Sequence, residues 1–347
     1  MPKLTLTIIA ISLLFVASSC KKLHVKPDKG NNTDTTKVDT TKVDTTKIES
    51  KGWVQLKDYP GTALRWTFGF SGGNKGYVVG GQYAEPTGHS TANVFQYDPS
   101  ADTWHQLNDY PGKGMGLMAG FSINNKTYMG TGFNYGTNLL YSDFWEYNPS
   151  NDKWVQKADF PGGKRQGSIT FSIGGYGYLL GSLLRTKQDL WKYTPATDQW
   201  TQMADYPGTG VAEMISASVN GKAYVGAGTS TEEVVGDFWE YDPAADKWTK
   251  KTDVMEPLYN PVTFVNGTKI YVVGGIGQDL KFRKTVLIYD TATDKWTKAE
   301  DFKGQERSAA VGFIIGNTAY FGLGAGSKVA GGATYPVSFN DFWKYNP

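Results

Sequence analysis

Phe144-Trp-Glu-Tyr-Asn-Pro-Ser-Asn-Asp-Lys-Trp154 is the stretch that decides the fold. Its first four residues are bulky or long side chains suited to a pleated strand. The Asn-Pro-Ser-Asn-Asp that follows is turn chemistry, and a tryptophan then opens the next strand. The same phrase runs from Phe95-Gln-Tyr-Asp-Pro99 to Trp104, and from Leu190-Trp-Lys-Tyr-Thr-Pro195 to Trp200. It returns from Phe238-Trp-Glu-Tyr-Asp-Pro243 to Trp248 and from Leu287-Ile-Tyr-Asp-Thr291 to Trp296, while the copy Phe342-Trp-Lys-Tyr-Asn-Pro347 closes the chain. With Trp53 and Trp154 the tryptophans recur every 46 to 51 residues. A fixed period of this size marks a repeat architecture whose units cannot bury their apolar faces alone.

Upstream of each aromatic strand lies a tyrosine followed by small and apolar residues. The copies are Tyr77-Val-Val-Gly-Gly81, Tyr128-Met-Gly-Thr-Gly132, Tyr178-Leu-Leu-Gly-Ser182, Tyr224-Val-Gly-Ala-Gly228, Tyr271-Val-Val-Gly-Gly275 and Tyr320-Phe-Gly-Leu-Gly324. Before each tyrosine an apolar stretch, such as Met115 to Ile123 or Ala309 to Ile315, is long enough for a buried inner strand. Four antiparallel strands per unit, arranged radially, remove the exposed edges of an open sheet. The small residues let neighbouring sheets approach, and the ring of tryptophans fills the space between them. The terminal copy lacks its tryptophan strand, and Trp53-Val-Gln-Leu-Lys57 supplies one at the other end. The repeat therefore predicts an all-β, six-bladed β-propeller over 53–347, closed by residues near 53–57 pairing beside 342–346.

The Gly-Gly pairs after Tyr77 and Tyr271, the spaced Tyr and Trp and the repeat length make this region resemble a kelch-repeat propeller. Gly-Gly becomes Thr131-Gly132, Gly181-Ser182 or Ala227-Gly228 in other copies. Asp-Phe-Trp at 143–145, 237–239 and 341–343 resembles kelch lipoproteins of Gram-negative, Bacteroidota-like envelopes. The resemblance specifies fold and leaves function open, because the family spans scaffolds, carbohydrate-active enzymes and envelope proteins. It also includes a copper oxidase, galactose oxidase, whose site needs histidines and a Tyr–Cys cross-link. The only cysteine here is Cys20, and of three histidines His24 precedes the repeats, leaving His89 and His105. Copper oxidase chemistry is excluded, and no cofactor or metal is expected.

Ahead of the repeats, Lys3 precedes an apolar run from Leu4 to Ala17, too short to span a bilayer and suited to a signal-peptide core. The run ends in Ala17-Ser18-Ser19-Cys20, which resembles a lipobox, with Ala17 where Leu is preferred and Ser19 where Gly or Ala is preferred. Residues 1–19 are thus expected to be a lipoprotein signal peptide, and Cys20 the lipidated residue that anchors the chain to a membrane. Asp34-Thr-Thr-Lys-Val38, Asp39-Thr-Thr-Lys-Val43 and Asp44-Thr-Thr-Lys-Ile48 form a charged repeat without aromatics, so 20–52 reads as a disordered tether. Lys21-Lys22 lack the acidic run associated with surface export. The expected location is the outer membrane, with a periplasm-facing placement favoured over surface exposure.

After residue 50 the chain has 27 Lys plus Arg against 28 Asp plus Glu, a balance with no basic footprint for nucleic acid. A monomer is expected. Strand alternation puts the loop after each tyrosine strand and the loop before each inner strand on one face. The long loops, 82–93, 133–142, 229–236, 276–284 and 325–340, all fall there and carry Tyr83, Phe133, Tyr135, Phe282 and Tyr335. Entries to the inner strands point at the central opening of that face. Arg65, Arg165 and Arg307 lie at such entries, as do Trp66, Glu213, Tyr259 and Asn260. Two readings stand for the arginines: recognition of a carboxylate or phosphate, or bonds to carbonyls that hold the ring together. Trp66, Tyr259 and Asn260 suit a sugar.

Two function classes follow. One is an envelope-anchored binding or scaffolding module that takes a glycan or an envelope protein on the loop-rich face. The other, implied by distant resemblance to N-acetylneuraminate mutarotases and epimerases, is an enzyme on an acidic sugar. It would draw its acid and base from Glu213 or Glu306 beside Arg165 or Arg307.

Overall fold

The computed structural model describes residues 51–83, 88–183, 188–330 and 333–346. The signal segment, Cys20 and the Asp-Thr-Thr-Lys repeats lie outside the described residues. Residues Glu49–Pro347 form one compact unit. Among the described residues there is no helix.

Six four-stranded antiparallel sheets make up the unit. Blade 1 comprises Phe68–Gly72, Lys75–Val79, Val94–Asp98 and Thr103–Gln106. Blade 2 comprises Ala119–Ile123, Lys126–Gly130, Phe144–Asn148 and Lys153–Lys157, and blade 3 Ile169–Ile173, Tyr176–Leu180, Leu190–Thr194 and Gln199–Gln202. Blade 4 runs Ile215–Val219, Lys222–Gly226, Phe238–Asp242 and Lys247–Lys250; blade 5 runs Val262–Asn266, Lys269–Val273, Val286–Asp290 and Lys295–Lys298. Blade 6 takes Val311–Ile315, Thr318–Gly322 and Phe342–Asn346 from the end of the chain, and Gly52–Gln55 from its beginning. The closing register pairs Trp53 with Tyr345 and Gln55 with Trp343, and Leu56 N continues it by donating to Phe342 O at 2.9 Å. The expected six-bladed, end-to-end closed propeller is the fold.

Each blade's second strand is buried almost throughout, because both of its faces meet neighbouring sheets. Between blades the cores are aromatic: Trp53 is 4% exposed and packs on Phe302, Phe321 and Tyr345 at centroid distances of 4.7, 5.7 and 4.7 Å. The small pair after each tyrosine strand has a definite task. The N–H of its second residue donates to the carbonyl of the next blade's entry loop. The six bonds run Gly81 to Met115, Gly132 to Arg165, Ser182 to Val211, Gly228 to Leu258, Gly275 to Arg307 and Gly324 to Leu64, at 2.6–2.9 Å. The last crosses the closure. The first residue of each pair sits at positive φ in all six copies, between 54° and 71°. A Cβ on Gly80 would stand 2.4 Å from Met115 O. Gly relieves both constraints at once.

Candidate functional site

The inner strands begin with a second ring. Trp66, Leu117, Gly167, Glu213, Asn260 and Ala309, one from each blade, all have φ between 51° and 64°. Their backbones are joined head to tail: Asn260 N donates to Glu213 O (2.8 Å), Ala309 N to Asn260 O (3.3 Å) and Trp66 N to Ala309 O (3.1 Å). Leu117 N then donates to Trp66 O (3.2 Å) and Gly167 N to Leu117 O (3.0 Å). Five of the six are not glycine, and a left-handed backbone costs such residues on the order of 1–3 kcal/mol each. The hydrogen-bond chain and the packed blades hold them there. The same six line an axial cavity of about 170 Å³.

On the mouth of this cavity the side chains differ from blade to blade. The Trp66 indole lies parallel to the Tyr135 ring, 5.7 Å between centroids and 5° between planes, and the Arg65 guanidinium covers the indole at 4.5 Å. Gln82 Oε1 accepts from Arg65 Nε at 2.8 Å and aims the guanidinium. Across the opening Asn260 Nδ2 donates to Glu213 Oε1 at 3.0 Å. Burial first, opposed by Arg65 and reinforced by Glu213, pushes the Tyr135 phenol up to about 12. Tyr135 therefore keeps its proton and is a hydrogen-bond donor, not a base. Glu213 is the one carboxylate lining the cavity among the described residues. The mouth thus offers one cation, one anion, an amide, a phenol and a flat aromatic face within a small concavity.

Arg165 and Arg307, for which ligand recognition or catalysis and ring-holding bonds both stood, are buried pins at 1% exposure each. Arg165 makes a bidentate pair with Asp189 (2.9 and 3.0 Å) and donates to Gly181 O, with Phe160 beneath its guanidinium at 4.5 Å. Arg307 does the same with Asp341 (2.6 and 2.8 Å) and Leu323 O, between Phe302 and Phe339. Both aspartates open an Asp-Leu-Trp or Asp-Phe-Trp phrase and also accept from the indole two residues on. Blades 2 and 4 use the same carboxylate without an arginine: Asp143 takes Lys113 N, and Asp237 takes Thr209 N. The physical reason is local: an arginine before the inner strand meets its own blade's aspartate before it can reach the axis. Glu306 is exposed and faces Ser327 beside a separate depression lined by Lys284 and Lys328. It does not join Glu213. Tyr259 lines neither the axis nor Arg65's side, but a second cavity between the loops of blades 4 and 5.

The structure therefore brings Arg65, Trp66, Glu213 and Asn260 together, and adds Tyr135, which sequence reading placed on the rim without seeing its contact with Trp66. Among the described residues no group of three His, Cys, Asp or Glu side chains is arranged to hold a metal.

Ring, closure and axial mouth define a six-bladed β-propeller. The kelch motif matches residues 71–109 and 257–303, the bodies of blades 1 and 5, so the six-bladed propeller carries kelch motifs. The solved structure titled "Structure of YjhT" is similar over 82% of this chain and 95% of that one, with a TM-score of 0.65 and 17% identity. At that identity the likeness is one of fold. No curated protein matches the chain.

Proposed function

We propose that the propeller is a binding module that takes a carbohydrate unit on its axial mouth, and that Cys20 tethers it to the cell envelope. The observation that carries the reading is the Trp66–Tyr135 pair with Arg65, Glu213 and Asn260 around one small opening. Flat aromatic surface beside a few convergent polar groups is how proteins hold sugars, whose faces are apolar and whose edges are hydroxyls. A kelch propeller fold supports a binding or scaffolding role, and rim loops on a rigid ring suit it.

The mutarotase alternative requires an acid and a base poised near the working pH. Glu213 supplies one carboxylate at the axial mouth, and Glu306, the other candidate, lies elsewhere. These features favour binding over catalysis.

A glycan array probed with the purified protein should return a defined set of ligands, each weakened about tenfold or more in Trp66→Ala, the scale of losing one stacking partner. An array without binders, or a profile unchanged in the variant, sinks the axial reading. Anchoring is tested separately: Cys20→Ser should move the protein from the membrane to the soluble fraction.

A further inference from the structure

The six entries around the axial cavity make a continuous wall. Backbone bonds close five of its six junctions, from Glu213 through Asn260, Ala309, Trp66 and Leu117 to Gly167. At the sixth, between blades 3 and 4, Ser216 Oγ donates to Thr170 O at 2.7 Å, three residues further into each blade. The cavity inside the wall is shallow. Beyond the ring its lining takes only the next residue of each blade, such as Met118, Met214 and Ala310, together with Ile169 at the start of the first strand of blade 3. At about 170 Å³ it is well below the ~300–1,000 Å³ of sites that enclose drug-sized molecules, which leaves room for one sugar ring.

Below the ring the inner strands are packed blade against blade. A Cβ on Gly120 would stand 2.6 Å from Phe68 Cζ (blades 2 and 1), on Gly312 2.3 Å from Val262 Cγ1 (blades 6 and 5), and on Gly69 2.3 Å from Val311 Cγ2 (blades 1 and 6). Between blades 3 and 2, Thr170 Oγ1 donates to Gly120 O. Ile215 and Ala217 of blade 4 share an apolar core with Ile270 and Val272 of blade 5. Chemically the wall has two sides. Glu213 and Asn260, bonded to each other at 3.0 Å, come from blades 4 and 5. Trp66 comes from blade 1, three blades from Glu213 and so across the six-membered ring.

We infer that the axial site recognises the end of a glycan chain: one terminal sugar ring enters the wall of six entries, and the rest of the chain stays outside. The inference rests on the axial reading above and narrows it to a ligand class. A terminal unit carries one glycosidic bond and can leave by the open side of the cavity. An internal unit carries two, on separate carbons of its ring. The second would have to cross the hydrogen-bonded wall or pass between inner strands already in contact. In a terminal unit the hydroxyl that a further sugar would occupy is free, and it can exchange hydrogen bonds with Glu213 and Asn260 while the ring meets Trp66 on the other side.

The test uses matched trisaccharides that place glucose, galactose, mannose and their N-acetylated amino sugars at the first, middle or last position, titrated into the purified protein by NMR. The recognised unit should bind at an end of the chain and at least about tenfold more weakly in the middle, where an exit is lacking. Ala310→Val fills space beneath the ring without altering Trp66, Glu213 or Asn260. It should weaken the end-bound trisaccharide about tenfold while the thermal melt stays near wild type. Equal affinity for the unit at the middle and end positions, or an affinity unmoved in a folded Ala310→Val protein, means that the chain lies across the mouth. Either result overturns chain-end recognition and leaves the axial reading standing. The positional comparison is made on the native protein and decides the matter even where the variant fails to fold. Failure of every trisaccharide to bind overturns both.

Discussion

Asp198 illustrates how one short side chain joins two blades. It sits at positive φ in the turn of blade 3 (51° to 55° across its four counterparts and itself) and accepts three bonds. The Tyr193 hydroxyl donates at 2.6 Å from its own blade, and Ala158 N donates to both oxygens at 3.0 and 3.2 Å from the preceding linker. Asp102, Asp152, Asp246 and Asp294 repeat this with Tyr97, Tyr147, Tyr241 and Tyr289. Asp198→Ala should cost about 2–3 kcal/mol in urea unfolding, because it strands a buried hydroxyl and a backbone donor that were bonded to a charge. Tyr193→Phe removes only one bond and should cost about half as much; equal losses would mean that the linker bond contributes nothing. The same clasps set the pH window. Burial first, then the carboxylate, pushes these five phenols far above the ordinary tyrosine range. A raised phenol contributes stability that is present below the unfolded value of about 10 and lost as pH climbs beyond it. Asp294 is held below the usual carboxylate range: burial opposes this, but bonds from Tyr289 and Thr252 and the Lys251 ammonium outweigh it. Its contribution is present above about pH 4 and fades as acid protonates it. The turn aspartates were visible in the sequence as turn residues. Their linker partners were not, since these lie 40 to 45 residues away. For Arg165 and Arg307 the limit was the same: spacing located the entry position and left two roles open, because it could not show the aspartate waiting across the blade.

Among the elements, the strand Gly52–Gln55 carries the most on the fewest residues. Its pairing with Trp343–Asn346 was legible, because the last repeat lacks a tryptophan strand and the first has one to spare. What pattern could not give is the packing of Trp53 among Phe302, Phe321 and Tyr345. Trp53→Ala should cost about 3–5 kcal/mol, the range for truncating a buried aromatic. Deleting residues 49–57 should cost more, since it also opens the Trp343 edge of blade 6. A thermal melt within a degree or two of wild type for the point variant would show that the closure is decorative. Rim elements were legible only as loops. Their two-residue ladders against the entries, Leu64 with Tyr83 and Leu258 with Gly277, depend on the blade geometry that brings them together.

Over the whole molecule, the seam between blades 5 and 6 is, among the described residues, the one interface without an aspartate clasp, because the turn that would hold it falls between the two ends of the propeller, Asn346 and Gly52. Lys51 occupies the position of Asp102 and Asp152 relative to the following tryptophan. The ring is otherwise nearly six-fold: every blade donates one bond from its small pair to the next entry, across the closure as elsewhere. A quasi-symmetric ring has no privileged place for its ends. A circular permutant tests this directly. Pro347 is joined through Ser-Ala-Asp to Gly52, copying the 98–104 turn, and new ends are cut between Ala244 and Ala245 in the exposed turn of blade 4. The permutant gains a clasp at blade 6 and loses the one that Asp246 makes to Ala204 N and Tyr241. Its unfolding free energy should match that of residues 51–347 within about 1 kcal/mol, since equivalent bonds are exchanged. The axial mouth should keep its ligands, because Trp66, Glu213 and Asn260 are set by the inner ring and not by where the chain starts. A permutant that fails to fold would mean that the native opening between blades 5 and 6 is required for assembly.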